Sequence, residues 1–416
     1  MGGKTTFCLH SGLNTIGGNI AEIRYGSDRV LFDFGRAYNP ADTLLTNAQG
    51  RENSKVSDML RLGMLPAVAG LYDNTWQGNT AVFISHLHLD HMGAIDVIHP
   101  DVPVYMSREG AALYQALIDI GEGPFRREIH VFDYEQPVHI GEIAVAGYAI
   151  DHDVHGAAAI LVETPDNIRI AHSGDIRMRG QRPELNHRWI AAMREKNLDY
   201  LLMEGTAFWP PRENATDDAD NKIIQHNEAD VPQVIADILH SLSGVCFFNF
   251  YHRNIERMEN LCKAAQLANR RVVFEPATAR LAAQFLPEAS FGVLGKGVSI
   301  ADINQNPAAY FVQSTLANIF SLIDYDPAGS GYIHTNGIPL GSFDPAFNSM
   351  LSFLHTLGIG FHAVPSAGHG DRDDILAIVD GIKPKVLVPW HSPAPAEMIP
   401  LDSAQQVLLP VKGEWY

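Results

Sequence analysis

The run Ala81-Val-Phe-Ile-Ser-His-Leu-His-Leu-Asp-His-Met-Gly93 sets a short apolar stretch directly against a cluster of metal-ligating side chains. Ala81-Val-Phe-Ile-Ser85 reads as a buried strand, because it is short, apolar and rich in β-formers. On extended backbone, residues i and i+2 point the same way. His86 and His88 can therefore hold one metal ion together, while Asp90 and His91 fall on the following turn and can reach a second. A mixed imidazole and carboxylate set suits zinc, or manganese where oxygen ligands are more numerous. Gly93 lets the backbone turn tightly beside the cluster. The plain alternative is a surface histidine cluster. The preceding strand, the spacing and the ligands found further on weigh against it.

Side chains from one loop cannot complete the shells of two ions, and three later positions fit. His152 follows a strand expected at 143–150, Asp175 follows one at 168–171 in Ala171-His-Ser-Gly-Asp175, and His391 follows one at 386–389. Each stands at a strand end, where open α/β sheets gather their ligands. A carboxylate such as Asp175 can bridge two cations. Taken alone, His152 reads equally well as a solvated loop histidine.

Working outward, further strands are expected at 29–35, 102–106 and 157–164, with helices at 108–120 and 184–196; this interleaving predicts a layered α/β domain. From about residue 200 the rhythm becomes strand–helix alternation. Strands at 200–203, 245–250 and 272–274 alternate with helices at 231–241, 254–268 and 278–285, the pattern of a doubly wound parallel sheet. Residues 212–227 are polar and acidic and read as an exposed loop. The C-terminal part returns to strand, helix and strand at 360–364, 373–381 and 386–389. There is no internal repeat.

The composition is that of a globular protein, with 46% hydrophobic and 19% charged residues, and 416 residues suggest two or three domains. No apolar run approaches the ~20 residues of a membrane span. The start, Met1-Gly-Gly-Lys-Thr-Thr-Phe-Cys8, has no apolar core, so no secretory signal is expected. Three widely spaced cysteines, Cys8, Cys246 and Cys262, argue against a disulfide framework and for a reducing cytoplasm. A formal net charge of −18 disfavours a broad electrostatic grip on nucleic acid but leaves room for a local basic groove.

His-x-His-x-Asp-His, a later His, Ser-Gly-Asp and a strand-end His together resemble the metallo-β-lactamase superfamily. Asp33 in Phe32-Asp-Phe-Gly35 matches its first motif, an aspartate that orients the metal loop. Ser11-Gly-Leu-Asn-Thr-Ile-Gly-Gly-Asn19 looks like its opening glycine-rich turn. The finer resemblance is to the β-CASP branch and its ribonuclease J-like members. It rests on Leu202-Met-Glu-Gly-Thr206, which supplies Glu204, on Pro365-Ser-Ala-Gly-His-Gly370, which supplies His369, and on Lys383-Pro-Lys-Val-Leu-Val-Pro-Trp-His391. The chain departs from that family in reading His391-Ser-Pro393 for His-Gly-Glu and in lacking a Thr-Gly-x-Gln-Gly-Glu-Pro segment, where it reads Val312-Gln-Ser-Thr-Leu-Ala317. With the chain ending at Tyr416, the family's further C-terminal domain is not expected.

The resemblance implies a metallo-β-lactamase αββα sandwich formed by 1–205 and 355–416, interrupted by a β-CASP domain at 206–354 with a parallel sheet flanked by helices. It also implies hydrolysis of RNA by a hydroxide held between two divalent cations, zinc first and manganese second. His86, His88 and His152 would hold one ion and Asp90, His91 and His391 the other, with Asp175 between them. Asp90 would also steer the attacking water, His369 would contact the scissile phosphate, and Glu204 would orient a neighbouring histidine. The implied partner is single-stranded RNA, with no membrane and with room for a homo-oligomer. Arg177, Arg179 and Arg182 follow Asp175, and Arg253 and Arg257 open a predicted helix; all could hold phosphates. Each taken singly is equally an ordinary solvated arginine. The competing function is a small-molecule hydrolase, such as a lactonase or thioesterase, because one fold hosts many reactions. The inserted domain and His369 favour the nuclease, and the net charge favours the small substrate.

Overall fold

The structure, a computed structural model, describes residues 3–36, 55–123, 127–210 and 225–416. The chain divides into two units. One comprises Met1–Met178, Arg182–Glu213 and Gly368–Tyr416, and the other Arg179–Gln181 and Asn214–Ala367.

The first unit carries two sheets. One runs β1 (Thr5–Ser11), β2 (Ile20–Tyr25), β3 (Asp28–Phe32), β4 (Thr80–Phe83), β5 (Val104–Ser107) and β6 (His130–Phe132). Its first three strands pair antiparallel, and β3 to β6 run parallel. The other sheet runs β20 (Gln406–Val407), β19 (Val386–Trp390), β11 (Tyr200–Glu204), β10 (Arg169–His172), β9 (Ala158–Glu163), β8 (Ile143–Ala149) and β7 (Val138–Ile140).

The period-two pleat sorts the second sheet's side chains. Ile160, Val162, Leu202 and Val388 join Phe7, Ile23, Phe32 and Phe83 in the core between the sheets. Their neighbours Ala159, Leu161, Leu201, Met203 and Leu387 face the other way. They pack with Trp189 and Met193 of the helix Pro183–Lys196 and with Ile375 and Ile378 of the helix Arg372–Ile382. These strands are buried on both faces, so they read as continuous apolar runs. The helix Arg108–Asp119 packs beside β5 and β6. The layers are those of the αββα sandwich read from the sequence.

The second unit holds one all-parallel sheet, in the order β15 (Gly297–Val298), β14 (Gly292–Leu294), β13 (Arg271–Phe274), β16 (Tyr310–Gln313), β12 (Cys246–Phe250), β17 (Gly331–Thr335) and β18 (Gly360–Ala363). Helices Val231–Ser241, Ile255–Leu267, Pro276–Phe285 and Pro345–Leu357 accompany it. The sequence reading placed 355–416 in the C-terminal return, but β18 pairs with β17, Tyr332 opposite Phe361, and the return begins at Gly368. A run of that length carries no mark of which sheet's main chain it will bond. Of the loop expected at 212–227, residues 212–224 lie outside those described.

The segment after β3 runs beside the His-rich loop and holds it by main-chain bonds. Phe34 N donates to His91 O at 2.7 Å, Arg36 N to Leu89 O at 3.0 Å, and Asn19 N to Asp90 O at 3.1 Å. A Cβ on Gly35 would stand 1.5 Å from Asp90 O, so only glycine permits this approach. Gly35→Ala is therefore expected to lower unfolding stability by at least about 1–3 kcal/mol and to loosen metal binding. Urea unfolding would measure the first effect, and an unchanged midpoint would show that the loop yields freely.

Candidate metal centre

Five strand ends deliver the expected side chains to one place. His86 and His88 follow β4, His152 follows β8, Asp175 follows β10, Glu204 closes β11 and His391 follows β19. The donor atoms form two groups, His86, His88, His152 and Asp175, and Asp90, His91, Asp175 and His391; within each the atoms lie within 4.8 Å of one another. Asp175 belongs to both. Its Oδ2 stands 3.1 Å from His91 Nε2, 3.6 Å from His86 Nε2 and 3.8 Å from His391 Nε2.

The outer ring nitrogens decide which inner atoms carry lone pairs. His152 Nδ1 lies 2.7 Å from Gly368 O, and a carbonyl only accepts, so the proton is on Nδ1 and Nε2 is bare. His91 Nδ1 donates to Asp33 Oδ2 at 2.8 Å. Ser85 Oγ gives its proton to Asp33 Oδ2 at 3.0 Å and so accepts from His86 Nδ1 at 3.0 Å. His88 turns Nε2 toward Asp153 Oδ1 at 3.6 Å and Nδ1 inward. His88 Nδ1 is consequently 3.1 Å from both His86 Nε2 and His152 Nε2. Three lone pairs at such separations repel unless a cation lies among them. Asp175 Oδ1 and His391 Nε2 are buried and meet no hydrogen-bond partner among the described residues. Nitrogen and carboxylate donors of this kind fit two divalent ions.

The electrostatics agree. Burial pushes the His86, His88 and His391 imidazoles below their ordinary pKa and takes His152 to about 3, so these rings are neutral at pH 7. Burial also works against a charge on His91, but the Asp175 and Asp33 carboxylates outweigh it and raise that ring well above the usual range. Burial opposes ionisation of Asp175, yet the imidazoles of His391, His91 and His369 hold it well below the usual carboxylate range.

Glu204 and His369 form a separate pair at the rim. His369 Nδ1 donates to Glu204 Oε1 at 3.1 Å, its Nε2 stands 3.9 Å from Asp175 Oδ2, and its side chain remains 26% exposed. Backbone N–H groups of Ile176 and Thr206 hold the Glu204 carboxylate. Burial disfavours a charged His369, but Glu204 and then Asp175 raise it to about 10, so it is an imidazolium at neutral pH. Asp90 is part-exposed, with Oδ2 3.7 Å from His91 Nε2 and 3.8 Å from His391 Nε2.

The expected arginines fare differently. Arg177 is 1% exposed and pairs through Nε with Asp151 Oδ1 at 2.9 Å. In the second unit Arg257 is buried against Glu228 and Arg253 is buried beside the Tyr251 ring. These three are interior side chains, which corrects their reading as a surface for phosphates. Arg179 is exposed and Arg182 half-buried. The sequence reading also left His172, Ser85, Asp153 and the Asn19 side chain without roles. His172 Nε2 donates to Asp33 Oδ2 at 2.9 Å. Ser85, Asp153 and His172 each lie within three residues of an expected ligand, the one signal that could have found them.

No family model matches the chain. Among solved structures it is similar to a protein of unknown function from Enterococcus faecalis V583, with 27% identity and a TM-score of 0.84 over 99% of both chains. Among curated proteins it is similar to ribonuclease J 1 of Streptococcus pyogenes, 21% identical over 96% of this chain and 70% of that protein. It is likewise similar to ribonuclease J of Sinorhizobium meliloti, 21% identical over 80% of this chain and 60% of that protein. The chain is ribonuclease J-like. This ribonuclease J-like chain thus spans 60% of the length of the Sinorhizobium meliloti relative. Its motifs and layered sheets resemble those of the β-CASP branch of the metallo-β-lactamase superfamily. Among the described residues no helix is long and apolar enough to cross a membrane.

Because Asp175 belongs to both donor groups and Asp33 acts through Ser85 and the rings of His91 and His172, Asp175→Ala should lose more metal than Asp33→Ala. Elemental analysis after equal dialysis measures this. Full occupancy in Asp175→Ala would place the bridge elsewhere.

Proposed function

We propose that this chain is a metal-dependent ribonuclease that hydrolyses phosphodiester bonds in single-stranded RNA. His86, His88, His152 and Asp175 would hold one divalent cation, and Asp90, His91, Asp175 and His391 a second, with zinc in first place and manganese in second. The observation that carries the reading is the His369 imidazole, held by Glu204 and 3.9 Å from Asp175, beside two donor groups that share that Asp175 carboxylate.

Two such cations lower the pKa of water and offset the charge of a phosphodiester. The chain's own residues supply the rest. Glu204 accepts a hydrogen bond from His369 Nδ1–H, which leaves Nε2–H as a donor for a non-bridging phosphate oxygen as charge builds there. The Asp90 carboxylate, part-exposed between His91 and His391, can accept a hydrogen bond from the attacking water and orient it. Asp33, Ser85 and Gly368 O keep three rings in the tautomers described above. A net charge of −18 resists RNA at long range, so the cations and His369 must provide the local attraction.

His369→Ala is expected to keep both metals and its fold yet cleave RNA ~10²–10³ slower, the usual cost of one such donor. Metal content and cleavage of 5′-labelled RNA should be measured on the same sample. Full activity in the variant would make His369 structural. Inactivity of the wild type on RNA and single-stranded DNA, with turnover of a lactone or thioester, would replace the nuclease reading.

The pH profile offers a second check. The Glu204 carboxylate favours the proton on His369, so activity that needs that proton falls as pH rises through the ring's pKa. Glu204→Gln removes the largest charge favouring the proton and should move this alkaline limb to lower pH. An unmoved limb would separate Glu204 from the protonation of His369.

A further inference from the structure

Asn19 is fully buried in the glycine-rich segment before β2. Its backbone ties two parts of the centre together, with N–H donating to Asp90 O at 3.1 Å and C=O accepting from Gly35 N at 3.3 Å. Its side-chain amide nitrogen is 3.0 Å from His91 Nε2 and also meets His391 Nδ1. The amide oxygen is buried and has no hydrogen-bond partner among the described residues.

That orientation directs one donor at two atoms with other demands on them. His91 already gives its Nδ1 proton to Asp33, and its Nε2 belongs to the second donor group. An amide proton there would occupy the lone pair that a cation needs. His391 Nε2 belongs to the same group and has no hydrogen-bond partner among the described residues, so the His391 proton belongs on Nδ1, which then requires an acceptor. An asparagine amide turned by 180° has nearly the same shape with donor and acceptor exchanged. Turned so, its oxygen meets His391 Nδ1, and its NH2 takes the position beside Gly12. A Cβ on Gly12 would stand 2.4 Å from that position, so glycine leaves the room for it.

We propose that Asn19 is a positioning residue whose amide oxygen accepts the Nδ1 proton of His391 and thereby presents His391 Nε2 to the second cation. The inference rests on the two-metal reading above. His391 itself adopts a left-handed backbone, with φ at 49°. Its N–H donates to Gly12 O at 3.0 Å and its C=O accepts from Gly205 N at 3.1 Å. Backbone and ring are then held independently, which a histidine on a strained turn requires.

The test is zinc affinity by chelator competition on the full chain, comparing wild type, Asn19→Leu and Asn19→Asp. Wild type should bind two equivalents. Asn19→Leu should keep the first and hold the second ~10–100-fold more weakly, the usual effect of losing such a partner. Asn19→Asp can only accept, and should hold the second as tightly as wild type. An Asn19→Asp protein as weak as Asn19→Leu would show that the amide donates, and would overturn the proposal. Undiminished second-site affinity in Asn19→Leu would overturn it as well. Should Asn19→Leu fail to fold, long-range proton–nitrogen spectra of the zinc-loaded wild type decide the matter. His391 protonated on Nδ1 is the expected result, and a bare Nδ1 the contrary one. A wild type that binds no zinc would overturn the metal reading itself, and this inference with it.

Discussion

The centre depends on one buried carboxylate. Asp33 is fully buried and accepts from Ser85 N at 2.7 Å, Ser85 Oγ at 3.0 Å, His91 Nδ1 at 2.8 Å and His172 Nε2 at 2.9 Å. An ionised carboxylate taken from water without partners is very unfavourable, so these donors are obligatory. Burial pushes its pKa up, but His91 and His172 hold it below the usual carboxylate range. Because Asp33 can only accept, it dictates where the protons of its neighbours sit. His91 must keep its proton on Nδ1, which leaves Nε2 as the nitrogen that can meet a cation, and Ser85 must give its proton away and take one from His86. Asp33 stands in the left-handed backbone region, at φ 57°, where a non-glycine residue needs such surroundings to hold it.

Histidines in this centre take opposite protonation states according to what their outer nitrogen meets. His152 faces a backbone carbonyl, stays neutral and keeps a lone pair inward. His369 faces the Glu204 carboxylate and becomes a cation. The same residue type can thus offer a metal ligand at one position and a proton donor for a phosphate a short distance away. Burial disfavours the charged form of both rings, and only at His369 do the carboxylates of Glu204 and Asp175 outweigh it.

The sandwich makes this arrangement reproducible. Strands β9, β10, β11 and β19 are packed on both faces, so their ends have little freedom to move. Ligands at the ends of such strands inherit that rigidity. The insertion between Glu204 and His369 separates two interacting residues by 165 positions, yet β19 pairs with β11 in register, Glu204 opposite Trp390, and so sets His391 beside Glu204.

The local part of this protein was legible in the sequence. The two-residue spacing of His86 and His88, the strand before them and the strand ends before His152, Asp175 and His391 follow from backbone periodicity. Periodicity is a property of neighbouring residues. The alternation after residue 200 likewise announces a parallel sheet. Only the tertiary structure decided the rest. It showed that Arg177 is neutralised by Asp151 and buried rather than offered to RNA, that β18 completes the second unit's sheet, and that His172 reaches Asp33, and Asn19 the rings of His91 and His391, from distant segments. Those facts depend on which side chains meet across space, and charge pairing between remote residues leaves no spacing in the chain to read.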